Sequence, residues 1–222
     1  MIAAAGLLLA AAAPSPSSAS AQDGAGPWSV TVRLGAQQPA DLYALYPPSL
    51  GVGPSVELAG AYAVLPWLEL ELAAGWARSA SPTEHLLVSG SSADPISPLV
   101  QISLTQQLTT VPLALGLRLA WPAPLPVRPY LIAAGGAIYA EFLAHAGAIT
   151  GFSTGWGSEW CAGLGADVRV GTGLVLGLEA RWRWAHATLH QHRDPPLAMA
   201  WATSWKANLG GGSLQATVGW AF

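Results

Sequence analysis

Ten ionisable side chains recur at alternate positions inside otherwise apolar segments: Arg33, Glu57, Glu69, Glu71, Arg118, Asp167, Arg169, Glu179, Arg181 and Arg183. Five are bases and five are acids, so they can neutralise one another wherever the fold gathers them. His186, His190 and His192 form a second group, close enough in sequence to share one metal ion from a loop. The same stretch is rich in Arg and Asp and suits plain solvation, so no metal site is assigned. His186-Ala187-Thr188 sets a base beside a hydroxyl. A hydroxyl nucleophile also needs a third group to orient its base, and no acid is placed for that. Cys161 is the sole cysteine, which excludes an intrachain disulfide. It reads as a small buried residue rather than a reactive thiol. No catalytic residue, metal or cofactor is assigned.

The elements that position these groups follow from composition. Charged residues make up 9% of the 222-residue chain, against about 25% in soluble domains. Hydrophobic residues make up 52%. Past the N-terminus no apolar run approaches the ~20 residues of a spanning helix, because charges, Gly or Pro interrupt each one. Strands are the other way to satisfy every backbone group in lipid. The net charge is −3 and no basic patch exists, which argues against nucleic acid as a partner. Residues 1–21 read as a secretory signal: an apolar stretch to Ala13, a small polar stretch, and Ala19-Ser20-Ala21 as the cleavage site. The positive charge that usually precedes such a stretch is missing. Residues 22–27 are a short lead-in, and 28–222 are expected to form one barrel.

Hydrophobicity alternates with period two, the mark of strands with two different faces. The expected strands are 28–37, 55–64, 68–77, 109–121, 129–141, 160–170, 174–185 and 213–222. The connections 38–54, 78–107, 142–159 and 186–212 are long. The connections 65–67, 122–128 and 171–173 are short. Transmembrane barrels pair short periplasmic turns with long extracellular loops. The expected fold class is therefore all-β, an eight-stranded antiparallel up-and-down transmembrane β-barrel with both mature ends periplasmic.

Two features fix the expected orientation of the faces. Trp28, Trp121, Tyr130, Trp220 and Phe222 fall at the periplasmic ends, and Trp76, Trp160, Trp182 and Trp184 at or near the extracellular ends, as two aromatic belts at two interfaces would. The ten charges lie opposite the large apolar residues. An Arg facing mid-membrane lipid costs roughly 2–4 kcal/mol and an acid somewhat less, so ten such exposures would exceed the stability of a typical domain. The charges must point inward. For the fifth strand the pattern assigns Tyr130, Ile132 and Ile138 to the lipid face and Ala133, Gly135 and Glu141 to the interior.

Val111-Pro112-Leu113-Ala114-Leu115-Gly116-Leu117-Arg118, then Arg128-Pro129-Tyr130-Leu131, and a terminal Phe222 with Trp220 two before it carry a resemblance. Over essentially the whole mature chain the sequence resembles the small OmpA-like and OmpX-like outer-membrane barrels. Gln215, Trp220 and Phe222 are similar to the signal read by the barrel-assembly machinery, with Thr217 where that pattern usually has glycine. The resemblance implies a monomer in the outer membrane of a Gram-negative-type bacterium, long loops outside, with lipid and the assembly machinery as partners. It leaves function open. The leading reading is a structural barrel that presents surface loops and is plugged by its charge network. The first alternative is a narrow cation-preferring pore, using small inward residues and Glu141 and Glu159 near the outer mouth. A lipid-modifying enzyme comes last; His186-Ala187-Thr188 resembles the His-x-Ser pair of barrel lipid A deacylases, with Thr for Ser. A loop ligand, above all for 78–107, is not named by any residue. A soluble lipocalin-like barrel, the structural rival, would carry far more surface charge.

Overall fold

The computed structural model describes residues 27–40, 50–89, 99–121, 127–147, 149–171, 173–193 and 204–222. The expected signal segment lies outside them. Ten strands are present: β1 (Trp28–Pro39), β2 (Gly53–Leu65), β3 (Leu68–Ala80), β4 (Glu84–Ser89), β5 (Leu99–Ala120), β6 (Val127–Ala146), β7 (Ile149–Val170), β8 (Leu174–Arg193), β9 (Ser204–Asn208) and β10 (Gly211–Ala221). No helix occurs among the described residues.

Eight of these strands close a ring. Antiparallel pairing runs β1–β2–β3–β5–β6–β7–β8–β10 and returns to β1. The first and last strands meet at their ends: the Phe222 N–H donates to the Trp28 carbonyl at 2.9 Å, and the Trp28 N–H to the Phe222 carbonyl at 3.2 Å. Closure leaves no unpaired ring edge, which is what lets a sheet sit in lipid. β4 pairs with β5, and β9 with β8. Both lie toward the end of the barrel away from the short turns.

Three expected loops prove to be partly strand. β5 and β7 are 22 residues long, β6 and β8 20, so they run well past the expected membrane span. The segment 142–159 is no long loop: pairing continues unbroken to Ala146↔Ile149. Gly147, with φ of 60°, begins the tight turn, in a backbone region that costs other residues about 1–2 kcal/mol. The backbone ladder needs no hydrophobic side chains, so a Gly, Ser and Thr-rich extension gives little periodic signal. β4 and β9 likewise fall within 78–107 and 186–212.

Large apolar residues cover the outside. Leu58, Leu72, Leu115, Leu131, Leu164, Leu178 and Leu214 are all exposed on the outer face. β6 departs from expectation. Directly paired residues share a face, and Ile132 pairs with inward Arg118. Tyr130, Ile132 and Ile138 are therefore buried inside, while Ala133 is exposed and Glu141 is half-buried on the outward face. Toward the β4–β9 end the interior becomes apolar. Leu50, Leu108, Ile138, Phe142, Leu189 and Leu209 form a buried cluster with small alanines, and Trp205 meets Phe142 edge-on with ring centroids 5.5 Å apart.

Candidate functional site

The barrel interior gathers the charges into three tiers. Nearest the short turns, Arg118 contacts Asp167 and lies 3.4 Å from Glu69. Arg128 lies 3.1 Å from Glu69 and donates to the Pro66 carbonyl at 2.8 Å. In the middle tier Arg33 reaches Glu57 at 2.6 Å, Glu71 at 2.5 Å and Glu179 at 3.4 Å. Arg181, on β8 two strands from Arg33, reaches Glu57 at 3.0 Å and Glu71 at 3.5 Å, and contacts Glu179. In the third tier Arg183 lies 3.2 Å from Glu159 and donates to Gln37 Oε1 at 3.2 Å. Above it comes the apolar cluster.

Alternation explains this gathering. β8 presents Glu179, Arg181 and Arg183 at successive inward positions, then Ala185, Ala187 and Leu189. Small inward residues, Ala59 on β2, Ala73 on β3 and Gly163 on β7, leave room for the long guanidinium arms. Each Arg offers several donors in a planar fork, so one side chain can bridge carboxylates from two or three strands. The middle tier joins two guanidiniums to three carboxylates and so carries one carboxylate in excess.

Of the ten predicted charges, nine are buried and in contact with a partner of opposite sign. The tenth, Arg169, two residues beyond Asp167, is exposed at the end of β7. Four further interior groups escaped the predicted set. Arg128 stands in the stretch that carries the family resemblance, outside the alternating set, and Gln37 carries no charge to mark it. Glu159 is expected only at the outer mouth. Tyr130 is expected in an aromatic belt, but it is 4% exposed and lies inside. Its hydroxyl donates to Glu179 Oε2 at 2.8 Å, and the Arg118 guanidinium stacks on its ring 3.6 Å from the centroid. A buried phenol needs a polar partner, and the charge network supplies one.

The remaining predicted aromatics, Trp28, Trp76, Trp121, Trp160, Trp182, Trp184, Trp220 and Phe222, are exposed on the outside. Gln215 is buried and its amide lies 3.5 Å from Ser55 Oγ. Cys161 is buried and free. His186, His190 and His192 are exposed on the outward face of β8. They form no metal-binding cluster with other residues among those described. His192 Nε2 and Thr154 Oγ1 are 2.8 Å apart.

No protein-family model matches the chain, and no curated protein sequence matches it. Solved structures do. A major outer membrane protein from Thermus thermophilus is similar over 88% of this chain and 99% of its own, with a TM-score of 0.50 and 12% identity. The outer membrane protein OprG from Pseudomonas aeruginosa is similar over 90% of this chain and 98% of its own, with a TM-score of 0.50 and 11% identity. At these identities the likeness is one of fold: the chain has the up-and-down barrel fold of the small outer-membrane proteins.

Proposed function

We propose that this chain is an integral outer-membrane protein, a structural barrel that presents surface elements and is closed inside by its own side chains. The membrane reading is supported by the closed ring, by an outer wall of exposed Leu, Val and Trp far larger than a soluble monomer tolerates, and by the inward charges. The contrast between short turns at one end and long strand extensions at the other supports reading both ends of the described barrel as periplasmic and β4 and β9 as extracellular. Lipid and the assembly machinery are its expected partners, and a monomer its expected state.

The observation that carries the closed reading is the apolar cluster above the ion-pair tiers. Leu189, Leu209 and Ile138 are wholly inaccessible to solvent, and an apolar constriction excludes water and ions. The test is conductance of the refolded protein in a planar bilayer. A folded, inserted barrel should be silent; reproducible conductance steps would overturn the closed reading. One observation favours a second reading, a narrow cation-preferring pore. The extra carboxylate of the middle tier would favour cations if the apolar cluster opened. Steps whose cation preference falls on Glu71→Gln substitution would establish it.

A further inference from the structure

The outer wall where β8, β10 and β1 meet carries an apolar groove, with a hydrogen-bonding, cationic patch on β8 and β9 above it. The groove has a volume of about 340 Å³, and its lining includes Ala36, Val52, Trp182, Gly211, Gly212 and Leu214. It exists because Gly212, the backbone partner of Trp182, places no side chain beside the Trp182 ring, and because Gly211 lets the chain pass close against the backbone of Gln38 and Pro39. Gly211 has φ of 142°, a conformation that keeps this position glycine.

The patch is set by register. His186 pairs with Ser158 on β7 and with Asn208 on β9, and Thr188 pairs with Lys206. Paired residues share a face, and these five are all exposed. Lys206 is the only lysine of the chain and has no ion pair among the described residues. The outward carboxylate Glu141 stands two strands from His190, about 10 Å away at the usual strand spacing. Trp182 and His186 are four residues apart on β8, about 13 Å at the rise of a strand. Exposed Trp184 lies between them, at the height where an indole marks the boundary between acyl chains and headgroups.

We propose that this wall holds one phosphorylated lipid of the surrounding leaflet, an acyl chain in the groove and the phosphate at Lys206, His186 and Asn208. The inference rests on the membrane reading above. A soluble anion would leave the apolar groove unused, and a lipid without net charge would offer no counterion to Lys206. A phosphate accepts a charge-assisted bond from the ammonium and further bonds from amide and imidazole donors.

Native mass spectrometry of the refolded protein in neutral detergent tests this, with dimyristoyl phosphatidic acid as probe and dimyristoyl phosphatidylcholine as the equal-chain control. The wild-type protein should retain one phosphatidic acid in preference to phosphatidylcholine. Lys206→Gln should weaken retention about tenfold, the loss of one charge-assisted contact. Gly212→Leu should fill the groove and weaken retention of both lipids; a Cβ there meets only Trp182, at 3.5 Å. Heat-modifiable gel mobility confirms that each variant is folded. No retained lipid, equal retention of the two lipids, or folded Lys206→Gln and Gly212→Leu variants that bind like wild type would each overturn the lipid site while leaving the barrel intact. A chain that stays in water and never enters vesicles would overturn the membrane reading, and the site with it.

Discussion

The Tyr130 hydroxyl donates to Glu179 across the inside of the barrel, at 2.8 Å. This bond ties β6 to the middle ion-pair tier, while Arg118 on the Tyr130 ring ties the same residue to the first tier. The phenol is thus a link between two charged layers rather than part of an interfacial belt. Tyr130→Phe keeps the ring and removes the donor. It should cost about 1.5–3 kcal/mol, the worth of a hydrogen bond to a charged group, as read by urea unfolding of the barrel in lipid vesicles. A belt tyrosine would lose much less.

Arg33 is 1% exposed and faces three carboxylates. Arg33→Ala should destabilise the barrel by about 3–5 kcal/mol, because it leaves buried carboxylates uncompensated. The same unfolding measurement checks it. Arg169→Ala, at the exposed end of β7, should change stability by less than about 1 kcal/mol, since exposed charges contribute little.

The reversed face of β6 gives a paired test. Ala133 is outward and Ile132 inward. Ala133→Arg should lose about 2–4 kcal/mol on insertion into lipid. Ala133→Leu should be tolerated, because it adds apolar surface to an apolar wall. If Ala133 faced the interior, the leucine would crowd the charged tiers and the ranking would reverse.

Phe142 and Leu189 sit in the apolar cluster above Arg183 and Glu159. Phe142→Ala should cost about 3–5 kcal/mol and thin the layer that keeps ions out. Planar-bilayer recording should then show conductance steps where the parent barrel is silent. Silence in a folded variant would mean that the ion-pair tiers alone close the interior.

Gly147→Val places a β-branched residue at φ of 60°. It should cost about 1–2 kcal/mol, with the loss confined to the β6–β7 turn. Hydrogen exchange should show faster exchange at Ala146 and Ile149 and unchanged protection at Ile132.

The sequence by itself determined the ring strands and, on every ring strand except β6, the inward and outward faces. The reason is energetic: charges such as Arg33, Glu71 and Glu179 alternate with residues such as Leu34, Leu72 and Leu178, and only one assignment keeps charge out of an apolar surround. The same pattern failed on β6 because both of its faces are apolar or small. Leu131, Ala133 and Tyr139 face Ile132, Ala134 and Ile138 across the strand, so hydrophobicity gives no preferred side. Pairing decided it: Ile132 stands opposite Arg118, and a residue opposite an inward charge must itself point inward. The length of β5 to β8 was hidden for a related reason, since a hydrogen-bonded ladder of Gly, Ser and Thr is stable without any periodic signal. Which carboxylate meets which arginine, and the apolar layer above them, required the closed ring, because they join residues as far apart in sequence as Glu57 and Arg181. Local alternation specifies a face; only closure of the sheet brings opposite walls together.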